Sequence, residues 1–244
     1  VNLVIDRGNT QVKYGIFDQC QLMLSDYSDF LDKQLIKQLI NQFEIKGIIV
    51  STVVSDRHDE LIKNLSIINC PILELNANTP LPFSSYYQSK DTIGKDRLAA
   101  VAGAISLYEK TNMLVIDAGT AITYELVNDK NEFMGGNISP GMNMRFKALN
   151  TFTSRLPLLE KNPDHELIGT STTVAIQAGV QNGMVYEIEG LINELSTQYK
   201  HLKTIITGGD AEFFAQKLKN PIFVHPNLVL IGLNRILEYN AQYI

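Results

Sequence analysis

The tetrapeptide Leu3-Val4-Ile5-Asp6 recurs 111 residues later as Leu114-Val115-Ile116-Asp117. Each copy is a short apolar run closed by a carboxylate. Each is followed by a turn-forming stretch with Gly and Thr: Asp6-Arg7-Gly8-Asn9-Thr10 in the first half, Asp117-Ala118-Gly119-Thr120 in the second. Both turns then feed an alternating strand, Val12 to Phe17 and Ile122 to Val127. A single apolar run ending at Asp-x-Gly describes many buried strands. The same unit twice points to two similar α/β halves, each opening with strand, acidic turn and hairpin partner. A chain of 244 residues has room for one large domain or two small ones. The repeat favours two, expected at residues 1-110 and 111-244.

The intervening segments fit α/β alternation. Leu31, Leu35, Ile36, Leu39, Ile40 and Phe43 have helical spacing, and residues 56–66, 98–108, 143–149, 211–218 and 228–239 are further expected helices. Residues 173–199 predict a long amphipathic helix with a stripe at Val180, Met184, Ile188, Leu191 and Leu195. Strands are expected at 47–50, 72–75, 133–138 and 204–207, and a loop passage, with Pro80 and Pro82, at 76–90. Hydrophobic residues make up 45%, enough for a core. The net charge of −5 argues against a broad nucleic-acid surface, and no apolar stretch approaches the length of a membrane span. Cys20 and Cys70 stand far apart with no zinc-type spacing, so a reducing, cytoplasmic setting is the expectation.

The chemistry is expected at the acidic turns. A carboxylate at the carboxyl end of a strand lies on the sheet rim, where α/β proteins build ligand sites. The Gly beside it lets an anion approach the backbone, and the Thr offers a hydroxyl to phosphate oxygens. An ionised Asp repels phosphate, so its natural task is to hold a cation that bridges phosphates. Two such turns facing each other would clamp a polyphosphate and its metal. No P-loop, Rossmann or protein-kinase signature occurs in the chain. Lys13 is placed to reach a phosphate as a point charge. Gly94-Lys95-Asp96-Arg97 precedes an Ala-rich helix. There Asp96 is either the helix N-cap or a general base, and Arg97 an anion clamp. The Gly-rich run 135–141 is expected to be a tightly shaped loop. Gly208 and Gly209 would let a base or ribose lie against the backbone, and Asp210 and the Ser171-Thr172-Thr173 cluster read first as helix caps.

The ordered set Asp6-x-Gly8-Asn9-Thr10-x-x-Lys13, Gly94-x-Asp96-Arg97, Asp117-x-Gly119-Thr120 and Gly135-Gly136-x-Ile138-x-Pro140-Gly141, with Thr207-Gly208-Gly209, resembles the type III pantothenate kinase family. The resemblance implies an actin and sugar-kinase type α/β fold of two ribonuclease H-like domains, with mixed sheets flanked by helices. It implies transfer of the ATP γ-phosphate to the primary hydroxyl of pantothenate, the first step toward coenzyme A. By similarity, Asp6, Gly8, Asn9, Thr10 and Lys13 form the phosphate loop, and Thr120 contacts ATP. Asp96 is the base. Tyr87, Gly94, Lys95, Asp96, Arg97 and Thr172 contact the substrate. Asp117 holds a monovalent cation, K⁺ or NH₄⁺, and Mg²⁺ accompanies ATP near Asp6. A homodimer, with the pantothenate site completed by the partner subunit, is also implied. One departure stands out: the family often carries Pro three residues after the Tyr, where this chain has Lys90. Another small-molecule kinase of this fold, or a non-catalytic nucleotide-binding regulator, is the alternative reading.

Overall fold

Strand β1 (Asn2–Arg7) is apolar on both faces because both faces are covered. Leu3 and Ile5 enter one core with Val12, Tyr14 and Ile16 of β2 (Val12–Asp18) and Ile36 and Leu39 of α1 (Lys33–Gln42). Val4 enters the other with Phe17, Ile49 of β4 (Gly47–Thr52), Ala99 and Ala102 of α3 (Lys95–Leu107) and Leu230, Leu233 and Ile236 of α7 (Leu228–Asn240). The computed structural model describes residues 1–8, 11–52, 54 and 56–241. It separates into two units: Val1–Glu109 with Asn227–Ile244, and Lys110–Pro226.

In the first unit the sheet order is β3-β2-β1-β4-β5, with β3 at Gln21–Ser28 and β5 at Ile72–Glu74. β1 pairs antiparallel with β2 and parallel with β4, so its carboxyl end, at Asp6, lies between Lys13 and Ser51. Helix α2 (His58–Leu65) covers the first core through Leu61 and Leu65. A two-residue strand, β6 (Ser84–Ser85), interrupts the 76–90 passage, which is otherwise irregular as expected.

The second unit repeats the arrangement. β7 (Met113–Ala118) pairs antiparallel with β8 (Ala121–Val127) and parallel with β10 (Lys203–Thr207). β9 (Glu132–Pro140) extends the sheet beyond β8, and β11 (Ile222–Val224) beyond β10. α4 (Met142–Thr151), α5 (Thr172–Gln198) and α6 (Ala211–Lys217) supply the helical layers. Val180, Met184 and Ile188 of the expected stripe are buried, with Leu191 and Leu195 partly so.

Two expectations need correction. The run 135–141 is not a loop: most of it is strand β9. There Gly136 lies so close to the Tyr124 carbonyl that a Cβ would collide with it, and Gly135 adopts φ +125° beside a register shift at Leu126/Val127. The glycines mark close strand approach and a bulge, not a break in the sheet. The expected second domain, 111-244, loses α7 to the first unit. Gly232 of α7 crosses α3 so closely that a Cβ would strike the Ala99 carbonyl, and one on Gly103 would strike that of Leu228. Such an approach is open only to glycine on each helix.

Candidate active site

In the first unit, strand alternation points Asp6 away from Leu3 and Ile5 and toward α3. Its cross-strand neighbours are Lys13 and Ser51. Asp96 comes from the first turn of α3. It is not the N-cap: Gly94 holds that position, in extended backbone, with no side-chain cap. A Cβ on Gly94 would collide with the Asp96 carboxylate, so this glycine gives Asp96 its room. Oδ1 of Asp96 accepts the Arg97 backbone N–H at 2.8 Å. Burial pushes the Asp6 carboxyl up to about 6, and the Asp96 charge adds to the rise; Ser51 and Lys13 temper it. Two carboxylates that repel each other beside one lysine make a slot for a cation.

Arg97, second in that turn, is buried at 4% exposure. It donates to the Tyr87 hydroxyl at 3.3 Å and stands 5.1 Å from the Tyr87 ring centre. Tyr87 and Arg97, ten residues apart in sequence, are thus one unit. Lys95 departs from this group: it lines a cavity of about 560 Å³ with Thr52, Arg57, His58 and Glu74, whereas Tyr87 lines another of about 390 Å³. The Gly8 N–H donates to the Gln11 carbonyl at 3.1 Å. Asn9 and Thr10 lie outside the described residues. Ser51 is the residue that sequence reasoning missed. Its signal was a lone hydroxyl at the end of Ile48-Ile49-Val50.

In the second unit, Asp117 sits in register between Thr123 of β8 and Thr207 of β10. Glycines surround it. A Cβ on Gly208 would stand 2.5 Å from its Oδ1, and one on Gly119 at 3.5 Å; Gly208 also adopts φ +92°. The Gly119 N–H donates to the Ala121 carbonyl and the Gly141 N–H to that of Thr120, each at 3.1 Å. A Cβ on Gly209 would meet nothing within 4 Å, leaving its backbone open to a flat ligand. Asp210 does take the N-cap position of α6, but its side chain serves elsewhere, pairing with Lys161 at 2.6 Å.

Thr172 opens α5 behind Ser171, whose hydroxyl accepts the Val174 N–H at 3.4 Å as an N-cap should. It borders a largely apolar groove with Arg145, Leu149 and Ile176. Arg145 is fixed there by the Pro140 carbonyl, the Ser139 hydroxyl and Glu187. Tyr124 donates to the other Glu187 oxygen at 2.8 Å. Burial works against the Glu187 charge, but the bonds from Arg145 and Tyr124 outweigh it and hold the carboxyl below its usual range.

Residues 2–194 match the family model for type III pantothenate kinase. The chain belongs to the type III pantothenate kinase family. A type III pantothenate kinase of Bacteroides fragilis is 42% identical over 98% of both chains, and one of Phocaeicola vulgatus is 41% identical over 99% of this chain and 100% of its own. Among solved structures, a Baf family protein from Campylobacter jejuni superposes with a TM-score of 0.63 at 23% identity, over 98% of this chain and 99% of its own. A ROK family glucokinase from Streptomyces griseus superposes with a TM-score of 0.52 at 8% identity, over 98% and 99%. At those identities the structures speak to the fold alone, which is the actin and sugar-kinase type.

A kinase family of this kind works on ATP with a divalent metal, and the residues fit that requirement. Among the described residues no three His, Cys, Asp or Glu converge on a metal site. A metal that arrives with ATP is completed by phosphate oxygens and water and asks the chain for only one or two carboxylates. Asp6 beside Asp96 is such a pair. Asp117, approached so closely by Gly208 that a Cβ there would strike its Oδ1 and the Ala118 backbone, is a further carboxylate at a strand end.

Proposed function

We propose that this chain transfers the γ-phosphoryl group of MgATP to the primary hydroxyl of pantothenate, giving 4′-phosphopantothenate for coenzyme A synthesis. The observation that carries the reading is Asp6 under the charge of Asp96, with Lys13 and Ser51 beside it and Arg97, held by Tyr87, in the same helical turn as Asp96. Phosphoryl transfer asks a protein mainly for alignment and charge neutralisation. Mg²⁺, bound with ATP, supplies much of that neutralisation.

The chain's own residues do the rest. Asp6 orients the metal-bound phosphates. Lys13, Gly8, Asn9 and Thr10 hold phosphate oxygens, with Thr120, Gly208 and Gly209 contacting the nucleotide. Asp96 accepts the proton leaving the pantothenate hydroxyl as the new P–O bond forms, and that proton departs with solvent after the turnover. Arg97, buried and fixed by Tyr87, shapes the acceptor side with Gly94, while Lys95 and Thr172 are given substrate contacts by the family likeness alone. Asp117 would hold K⁺ or NH₄⁺, which would supply a positive charge beside the nucleotide. The active form is a cytoplasmic homodimer. Among the described residues no helix is long and apolar enough to cross a membrane.

The test is ADP release from MgATP with and without pantothenate, each with and without potassium. Pantothenate-dependent release that rises with potassium is the expected result. Release that ignores potassium would remove the role given to Asp117. No pantothenate-dependent release from folded protein would overturn the reading.

A further inference from the structure

The Tyr87 cavity has an asymmetric wall. Leu81, Phe83, Ile93 and Leu98 make its apolar side, and Lys90 stands at its edge. Lys90 is the only charged residue lining it among the described residues. Lys90 is exposed and has no ion pair or hydrogen-bond partner among the described residues. The cavity volume, about 390 Å³, is in the range of small-molecule sites. Pantothenate has a matching asymmetry: a gem-dimethyl centre near the reacting hydroxyl and a single charge, the carboxylate, at the far end. Tyr87 ties the cavity to the reacting side, because its hydroxyl holds Arg97, the neighbour of Asp96.

We propose that Lys90 pairs with the pantothenate carboxylate and makes this enzyme prefer the charged substrate over neutral analogues with the same hydroxyl end. The inference rests on the pantothenate kinase reading and names the residue that recognises the substrate's far end. The four apolar residues take the gem-dimethyl centre. Lys90 contributes a charge at the mouth, where water still reaches, so its effect has the modest size of an exposed pair. A lysine suits this task better than an arginine held in a network. Its flexible stem and compact charge follow a carboxylate on a flexible chain.

The experiment compares pantothenate with pantothenol, in which the carboxylate is replaced by a neutral alcohol. Wild type, Lys90→Ala and Lys90→Arg are each assayed for kcat and KM with both acceptors, at low and high salt. The expected result is that Lys90→Ala lowers the pantothenate-to-pantothenol ratio of kcat/KM by roughly fivefold, through the KM for pantothenate. Lys90→Arg should keep most of the ratio, and added salt should narrow it in wild type but little in Lys90→Ala. An unchanged ratio in Lys90→Ala, or equal losses with both acceptors, would overturn the proposal. Failure of wild type to phosphorylate either acceptor would instead overturn the kinase reading, so the two failures are distinct.

Discussion

The two acidic turns begin from the same four residues and end in different electrostatics. The Asp6 carboxyl is raised by burial and then by the Asp96 charge from α3, and Ser51 and Lys13 moderate the rise. Asp117 is approached closely by the backbone of Gly119 and Gly208, and at Gly208 a side chain would strike it. The strand and hairpin geometry are common to both halves, since both carboxylates terminate a central strand between an antiparallel and a parallel neighbour. The chemistry therefore lives in what approaches the strand end, not in the repeated tetrapeptide. A crowded, charged end suits a multivalent ion and a proton acceptor. A glycine-lined end with one carboxylate suits a monovalent ion.

The largest expected effect tests the crowded end. Asp96→Asn removes the proton acceptor and should lower kcat by about a thousandfold, within the range for a general base. ATP affinity, read by equilibrium binding, should change by less than about threefold. An ATP affinity that falls as far as kcat would mean that Asp96 serves nucleotide binding and that the two ends differ less than described.

The glycine-lined end is tested by Gly208→Ala. The new methyl would stand 2.5 Å from the Asp117 carboxylate, at a backbone angle of φ +92° that L-residues resist. A loss of about 1–3 kcal/mol in stability is expected, together with a weakened response to potassium. Urea denaturation and a potassium titration of activity check both. A variant with normal potassium activation would show that the close approach of Gly208 to Asp117 has no role in holding a cation.

The smallest expected effect is a pH dependence belonging to the first turn. The Asp6 carboxyl, raised from 3.8 to about 6, binds its proton more tightly in the folded chain than in the unfolded one. Stability therefore falls as pH rises from about 4 through 6, and above that range the full penalty is present. Allowing for its partial exposure, that penalty is about 2 kcal/mol. Asp6→Asn should therefore stabilise the fold by about that amount at pH 7.5 and by nearly nothing at pH 3.5, while abolishing activity. Equal effects at both pH values would detach the gain from ionisation.

Sequence legibility followed burial. The strands ending at Asp6 and Asp117 are apolar on both faces, so their patterns are continuous and their ends abrupt. Strand β3 gave no clear pattern because it lies at an edge, with Met23 and Tyr27 more than half exposed. Strand β11 is only three residues long. The run 135–141 misled because glycines that permit close strand approach have the same composition as glycines that break a strand. The place of Asp96 was ambiguous for a related reason. A carboxylate in a first helical turn and one at an N-cap differ by two positions, and the favourable dipole is common to both. The Asp6–Asp96 pairing was hidden because it joins residues ninety positions apart through α3.

The α3–α7 crossing has a consequence for how the protein is made. The second unit is one unbroken stretch, Lys110–Pro226, and contains its own core from the moment it leaves the ribosome. The first unit, although translated first, keeps part of one core uncovered until Leu230, Leu233 and Ile236 arrive on α7. During synthesis the half that bears Asp96 is thus the later one to mature. The glycine pair at Gly103 and Gly232 is the seam at which the nascent enzyme closes.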